Sequence, residues 1–202
     1  MKVFITGTDT DIGKTLISSW ICLHTGYTYF KPIQTGNTMT VDSAIVERLA
    51  SAKILPEIYS YSQPLAPHLA AKLDNSFIDI SLIKLPEEEV VIEGAGGLMV
   101  PLNEKQMMVD LMKQLQIPVI LVASSKLGTI NHTLLSLEAL RIRNIPVLGV
   151  ILNGDYDCNN KEAIEFFGKT RVLACFPKIL HVSRDALFKV KLTKELRAIF
   201  QV

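Results

Sequence analysis

The stretch GTDTDIGKT, Gly7–Thr15, follows the short apolar run KVFIT and opens a segment with helical spacing. A strand that passes through a glycine loop into a helix is the context of a phosphate-binding loop, whose backbone N–H groups point at the anion. Gly13 lets the backbone approach closely, Lys14 reaches the β- and γ-phosphates, and Thr15 offers a hydroxyl to Mg²⁺. The usual pattern has four residues between its glycines and this loop has five. It is a variant loop, and the alternative is a glycine turn with a chance GKT.

The rest of the chain alternates short apolar runs with helical segments. Runs that are apolar on both faces, separated by helices, predict an α/β fold of the P-loop NTPase type, with a mostly parallel sheet covered by helices on both faces. No repeat or linker interrupts residues 1–202, which predicts one domain. The stretch 56–85 is the least regular and is the natural place for a substrate-facing excursion. Strands are predicted at 2–6, 27–33, 90–97, 118–124, 146–153 and 171–177, and helices at 14–25, 41–52, 107–116, 131–144, 161–169 and 192–200.

Composition excludes several classes of protein. With a net charge of +1, the chain has no electrostatic reason to bind nucleic acid or a membrane surface. No apolar run approaches the ~20 residues that cross a bilayer, and the N-terminal run is shorter than the ~7–15 residues of a signal-peptide core. The three cysteines form no CxxC pair, so neither a zinc site nor a redox motif is indicated. We expect a cytoplasmic protein.

Three further residues suggest phosphate and metal chemistry. Lys31 is a cation at the end of the second strand, the edge where ligands bind in open parallel sheets; the alternative is a surface lysine before a proline turn. Glu93 ends the apolar run VVIE, where an uncompensated carboxylate is costly, so it reads as a Mg²⁺ ligand or as the partner of a basic residue. Asp42 is most simply a helix N-cap, and its second interpretation is a further Mg²⁺ carboxylate.

Taken together, these motifs resemble one family, the dethiobiotin synthetases. GTDTDIGKT, KPIQTG, VDSA, APH, VIEGAGGLMVPL, KLGTINHTLL and LNGD occur in the order seen there, from about residue 3 to residue 154. The five-residue gap in the loop is itself a trait of that family. The segment 79–89 is short for the family, and the similarity thins beyond Pro177.

The resemblance implies an ATP-dependent ring closure in biotin biosynthesis. The substrates would be 7,8-diaminononanoate, CO₂ and MgATP, and the products dethiobiotin, ADP and phosphate. One amine takes up CO₂ as a carbamate, whose oxygen attacks the γ-phosphate to form a carbamic-phosphoric anhydride. The second amine then closes the ureido ring and expels phosphate.

The resemblance also implies roles for residues near the phosphate loop. Lys14 and Lys31 would lie on either side of the transferred phosphoryl group, with Thr10 and Asp11 beside the diamine. Thr35 would hydrogen-bond the carbamate. The implied Mg²⁺ ligands are Thr15, Asp42 and Glu93. The implied ATP-binding residues are Asp11, Ile12, Gly13, Lys14, Thr15, Glu93, Gly96, Asn153 and Pro177.

Other roles rest on the resemblance alone. Pro67 and His68 of APH would begin a helix near the substrate carboxylate. The loop KLGTIN, with Gly128, Thr129, Ile130 and Asn131, would complete that site from a neighbouring subunit, which implies a homodimer. Asn153 would read the adenine, because an amide both donates and accepts, and Pro177 would flank the base.

Two other classes of P-loop protein remain as alternatives. Amide ligases of the cobyrinic-acid amidase type usually carry a further glutaminase domain, for which 202 residues leave no room. Switch ATPases resembling MinD and ParA carry a signature lysine early in the loop, where this chain has Thr8. The C-terminal segment LTKELRAIF is too short for the membrane helix that such switches often add.

Overall fold

A parallel sheet forms the centre of the protein. The computed structural model describes residues 1–38, 41–155 and 157–202. The strands of the described part are β1 (Lys2–Gly7), β2 (Thr28–Phe30), β3 (Ile33–Thr35), β4 (Ile54–Leu55), β5 (Tyr59–Tyr61), β6 (Val90–Gly97), β7 (Val119–Ser124), β8 (Val147–Asn153) and β9 (Val172–Phe176). Seven of them form the main sheet in the order β4-β2-β6-β1-β7-β8-β9, and every pairing is parallel.

Helices cover both faces of this sheet. They are α1 (Lys14–Thr25), α2 (Asp42–Ala50), α3 (Pro67–Leu73), α4 (Met108–Leu115), α5 (Thr129–Ile142), α6 (Cys158–Gly168), α7 (Arg184–Lys189) and α8 (Lys194–Phe200), with a 3₁₀ turn at Ile80–Leu82. Alternate residues of β1 enter two separate cores: Val3 and Ile5 pack with α1, α2, α7 and α8, and Phe4 packs with α3, α4, α5 and α6. Burial on both faces explains why the strands are continuously apolar.

The predicted fold class is confirmed, and some predicted boundaries are wrong. The run 27–33 is not one strand: β2 stops at Phe30, and Ile33 begins β3, which pairs with β5 outside the main sheet. Pro32 lies between them and has no N–H to continue a ladder. The predicted helix at 131–144 begins two residues earlier, at Thr129. The helix at 161–169 begins at Cys158, because the Asp157 side chain accepts from the backbone N–H groups of the next turn.

The connections between strands open a cleft at the centre of the main sheet. From β1 the chain crosses by α1 to β2 on one side, and from β6 it crosses by α4 to β7 on the other. Neighbouring strands whose connections leave in opposite directions mark the switch point where α/β proteins bind ligands, at the carboxyl ends of the strands. No helix within the described ranges is long and apolar enough to cross a membrane.

Candidate active site

A cavity of about 950 Å³ lies at this switch point. Its walls come from the phosphate loop, the ends of β2 and β3, the first turns of α2, the segment 64–67 and the end of β6. Eleven of the predicted site residues line it: Thr10, Asp11, Gly13, Lys14, Thr15, Lys31, Thr35, Asp42, Pro67, Glu93 and Gly96. A shallower depression of about 620 Å³ at the start of β8 and β9 contains none of them.

The phosphate loop has the backbone that an anion cradle requires. Gly13 is the N-cap of α1 with φ +92°, in the left-handed region where a Cβ would also meet the Asn153 side chain. Asp11 also has positive φ, at 56°. Within the described part of the chain, the N–H groups of Gly13, Lys14 and Thr15 have no acceptor. These donors and the helix dipole favour a phosphate at this position.

Lys14 folds back onto the loop. Its Nζ donates to the backbone oxygen of Asp9 at 2.9 Å, and the side chain is buried. Burial lowers the pKa of this ammonium and the nearby Lys31 cation adds to the effect, while Glu93 and Asp42 oppose it. A lysine held mainly by one carbonyl is ready to exchange that contact for a phosphate oxygen.

Three side-chain oxygens meet beside the loop. Thr15 Oγ1 lies 2.8 Å from Asp42 Oδ1 and 2.9 Å from Glu93 Oε1. Mg²⁺ binds oxygens at about 2.0–2.1 Å in an octahedron, which puts neighbouring ligand oxygens about 2.9 Å apart. The described residues include no cluster of three or more acidic, histidine or cysteine side chains suited to a metal. Magnesium needs only one or two carboxylates besides phosphate and water, so this set of ligands fits it.

Lys31 is buried between the two carboxylates. Its Nζ lies 2.7 Å from Asp42 Oδ2 and 3.2 Å from Glu93 Oε1. Burial alone would lower the Lys31 pKa, but the two carboxylates outweigh it and raise the pKa above its usual value. Burial likewise opposes ionisation of Asp42, and Lys31 outweighs it, so the Asp42 pKa is lowered. The alternative of a surface lysine is wrong, since Lys31 is only 5% exposed.

Glu93 is the centre of this network and is only 1% exposed. Oε1 faces Thr15 and Lys31, and Oε2 accepts from Ser18 Oγ at 2.7 Å and from the Tyr29 hydroxyl at 3.0 Å. Burial and the negative charge of Glu93 raise the Tyr29 pKa well above its usual value. Glu93 was predicted to be a metal ligand, with pairing to a basic residue as the alternative. The ion pair with Lys31 is present, and the metal-ligand role stays a prediction.

Ser18 and Tyr29 were missed in the sequence. The signal was periodicity: Ser18 is three residues after Thr15, on the same face of α1, and Tyr29 is two residues before Lys31, on the same side of the extended chain. The N-cap interpretation of Asp42 is also wrong. Val41 is the N-cap of α2, and Asp42 turns its carboxylate into the site.

Thr35, Pro67 and Gly96 also line the cavity, and Gly96 lies beside Thr10 of the phosphate loop. Gly96 has φ +67°, and a Cβ there would meet Val100 at 2.7 Å. The predicted helix after Pro67 is present, but the N–H of His68 donates to the Pro101 carbonyl, and the next two amides donate to Ala66. The first turn of α3 therefore has no unpaired amide to offer a carboxylate, and Pro67 contributes only an apolar surface to the cavity.

Other predicted residues lie outside this cavity. Ile12 is buried behind the loop, and His68 does not line the cavity, although its buried Nδ1 has no partner among the described residues. Gly128 is the N-cap of α5 with φ +95°, next to the fully exposed Leu127. Thr129 is buried, and the following residues to Asn131 are partly or fully exposed.

Asn153 at the end of β8 is in contact with the phosphate loop. Its Nδ2 donates to the Ile12 carbonyl at 2.8 Å and packs over Gly13. Pro177 is exposed just after β9. The adenine-reading role of Asn153 stays a prediction, and the geometry adds a second role, since this amide holds the loop in shape.

Asn153→Ala separates these two roles. Since the hydrogen bond to Ile12 supports the loop, we expect weaker binding of both ATP and inorganic triphosphate, by up to about tenfold for a bond of roughly 0.5–1.5 kcal/mol. Calorimetric titration with each ligand measures this, with the exposed Asn159→Ala as control. A loss confined to ATP would assign Asn153 to the base alone.

Comparisons with known proteins identify the relatives of this chain. A family model described as an AAA domain matches residues 1–186. The ATP-dependent dethiobiotin synthetase BioD of Lawsonia intracellularis is 51% identical over the full length of both chains. The protein of the same name from Neorickettsia sennetsu is 42% identical over all of this chain and 96% of its own. The biotin biosynthesis bifunctional protein BioCD of Bordetella avium is 48% identical over 92% of this chain and 41% of its own.

Solved structures resemble the chain in fold. A ParA family ATPase from Chlorobium tepidum matches with a TM-score of 0.53 and 14% identity, over 98% of this chain and 95% of that one. The signal recognition particle receptor FtsY from Elizabethkingia anophelis matches with a TM-score of 0.52 and 13% identity, over 98% of this chain and 64% of that one. At such identities the likeness shows the P-loop NTPase fold alone.

Proposed function

The chain belongs to the family of ATP-dependent dethiobiotin synthetases. We therefore propose that the ureido ring is formed in the cavity at the switch point, by the residues that line it. The protein is a ligase of biotin biosynthesis that converts 7,8-diaminononanoate, CO₂ and ATP into dethiobiotin, ADP and phosphate. Family membership decides against the amide ligase and the switch ATPase. Residues 1–202 act in this proposal as one synthetase unit, in the cytoplasm where ATP is available.

The nucleotide phosphates bind at the phosphate loop. The free N–H groups of Gly13, Lys14 and Thr15 donate to phosphate oxygens, and the Lys14 ammonium leaves the Asp9 carbonyl to reach the β- and γ-phosphates. Asp11, Ile12, Gly96, Asn153 and Pro177 complete the proposed ATP site.

The side chains Thr15, Asp42 and Glu93 would hold Mg²⁺. The distances between their oxygens support this assignment. When bound, Mg²⁺ would supply positive charge to the β- and γ-phosphate oxygens. In the structure, Lys31 neutralises the carboxylates of Asp42 and Glu93. If a bound cation took over that role, the Lys31 ammonium could turn toward substrate oxygens.

The chemistry needs positioning and charge neutralisation more than covalent help. One amine of the substrate bonds to CO₂ and loses a proton, giving a carbamate. A carbamate oxygen bonds to the γ-phosphorus as the bond to ADP breaks, with Lys14 and Lys31 balancing the charge. The second amine then bonds to the carbamoyl carbon and releases a proton to solvent, and phosphate leaves with the electrons of the broken C–O bond.

Residues that line the cavity beside the phosphate loop orient the diamine. The Thr35 hydroxyl donates to a carbamate oxygen, and the exposed Asp11 carboxylate and Thr10 hydroxyl lie where an ammonium can bind. Pro67, with His68 behind it, forms the wall along the carbon chain.

One observation carries the proposal: the Thr15, Asp42, Glu93 and Lys31 side chains meet within hydrogen-bond distance beside a loop with unpaired amides. Its test is phosphate release from MgATP in bicarbonate buffer, with and without 7,8-diaminononanoate. Release that depends on the diamine, with dethiobiotin detected by mass spectrometry, is the expected result. Release that is independent of the diamine, or none from folded protein, would contradict it.

We further propose a homodimer in which Gly128, Thr129, Ile130 and Asn131 complete the carboxylate site of the neighbouring subunit. The exposed position of this segment, outside the cavity of its own chain, supports the proposal. A second support is chemical. The backbone N–H groups of Ile130 and Asn131, in the first turn of α5, have no acceptor in the described part of the chain and are suited to a carboxylate.

Mixing two inactive variants tests the shared site. A Lys31→Ala subunit and an Asn131→Ala subunit, each defective alone, are expected to regain activity when exchanged into one dimer, because one of its two sites then has both intact halves. At equal mixing the recovered activity approaches about a quarter of the wild-type value, since half the dimers are mixed. Subunit exchange is verified by native mass spectrometry, and no recovery after exchange would rule out the shared site.

A further inference from the structure

Helix α2, which carries Asp42, begins without a capping side chain of its own. Its N-cap is Val41, whose apolar side chain accepts no hydrogen bond. Asp42 follows and directs its carboxylate to Thr15 and Lys31 instead. The first turn of a helix has amide groups that need acceptors, and a capping side chain usually supplies one. The start of α2 therefore depends on other parts of the chain.

Two side chains from the region of β3 and β5 hold this first turn. Gln34 of β3 accepts through Oε1 from the backbone N–H of Asp42 at 3.4 Å. Glu57, two residues before β5, accepts through Oε1 from the Ser43 hydroxyl at 2.6 Å. Gln34 and Ser43 are both buried. Because β3 and β5 pair with each other, the small sheet ties both acceptors to the start of α2.

The bond between Glu57 and Ser43 is the stronger of the two. A hydroxyl that donates to an ionised carboxylate makes a short, charge-assisted hydrogen bond, and 2.6 Å is in that range. A negative charge beside the first turn also interacts favourably with the positive end of the helix dipole. Glu57 does not line the cavity, so its effect on the site passes through Ser43.

We propose that Glu57 is a positioning residue for Asp42. Through Ser43 it fixes the first turn of α2, and so it keeps the Asp42 carboxylate beside Thr15, where a divalent cation can bind. This inference rests on the proposed function, because it takes the magnesium ligands Thr15, Asp42 and Glu93 from there.

The test is calorimetric titration of the full chain with ADP, once in Mg²⁺ and once in EDTA. For Glu57→Ala we expect affinity for MgADP to fall about tenfold, because Asp42 is no longer held, with metal-free ADP changed less than about twofold. Ser43→Ala and the double variant Glu57→Ala/Ser43→Ala should lose as much affinity as Glu57→Ala, because each removes the same hydrogen bond between Ser43 and Glu57. Glu57→Gln keeps an acceptor and should recover most of the affinity. Glu47→Ala, on the exposed face of the same helix, is the control.

The inference is overturned if the ADP affinity of Glu57→Ala depends on Mg²⁺ as strongly as that of the wild type. It is also overturned if the affinity falls equally with and without Mg²⁺, because that result indicates general destabilisation. If Glu57→Ala does not fold, Ser43→Ala carries the same test. If the wild-type protein binds ADP equally with and without Mg²⁺, the magnesium assignment fails and this inference fails with it. Steady-state kinetics provide a second measure, with KM for MgATP raised and KM for the diamine unchanged.

Discussion

Replacing Lys14 by alanine is expected to lower kcat about 10³-fold, the size of loss found when one preorganised donor to a developing negative charge is removed. Lys14 lines the cavity and bonds mainly to one loop carbonyl, so its removal breaks little of the folded structure. Burial lowers the pKa of its ammonium, because the buried charge is poorly solvated until an anion binds beside it. Diamine-dependent phosphate release measures the effect.

The matched variants separate charge from packing. Lys14→Met keeps the apolar stem and should be as inactive as Lys14→Ala, with the midpoint of thermal unfolding close to that of the wild type. Lys113→Ala on the exposed side of α4 should leave kcat unchanged. Near-native turnover in the folded Lys14→Ala protein would overturn the phosphate-loop assignment.

Replacing Glu93 by alanine is expected to remove both turnover and much of the stability. Glu93 is the buried partner of Lys31 and accepts hydrogen bonds from Ser18 and Tyr29. Breaking a buried ion pair by removing one partner costs about 3–5 kcal/mol. For a chain of this size, that corresponds to a fall of roughly 6–20 °C in the thermal midpoint. Circular dichroism on heating measures it.

The isosteric variant distinguishes the two losses. Glu93→Gln keeps hydrogen-bonding groups for Ser18 and Tyr29, so it should be more stable than Glu93→Ala, but it cannot supply a negative ligand and should remain inactive. Glu88→Ala, which removes an exposed partner of Lys53, is the control and should shift the midpoint little. An active Glu93→Gln enzyme would exclude Glu93 as a metal ligand.

Local sequence was sufficient for the central elements of the fold. The bounds predicted for α1, residues 14–25, are those observed. The helix begins after the glycine of the phosphate loop, Gly13, and ends at Gly26, whose positive φ terminates it. Small elements were missed where the pattern is weak. The strands β3 and β5 have three residues each, and their pairing depends on how Pro32 redirects the chain rather than on periodicity.

Only those residues of the candidate site that belong to a local sequence pattern could be predicted. Lys14 and Thr15 follow from a motif with a mechanism, and Glu93 from the cost of a carboxylate in an apolar strand. Glu57 and Ser43 carry no such signal, because a serine near a helix start and an exposed-looking glutamate are common on any surface. Their contact exists only because the connection between β4 and β5 passes the start of α2 in the folded chain.

The kind of sheet and the phosphate loop could be predicted from residue type, short spacing and apolar periodicity, and the family from the resemblance of its motifs. The sequence did not reveal that Lys31 is buried between Asp42 and Glu93, that Asn153 supports the phosphate loop or that Glu57 contacts the start of α2. These residues are far apart along the chain and meet only in the folded protein. These contacts join residues on separate strands and helices, and their energies depend on burial and on atomic separations that no local pattern encodes.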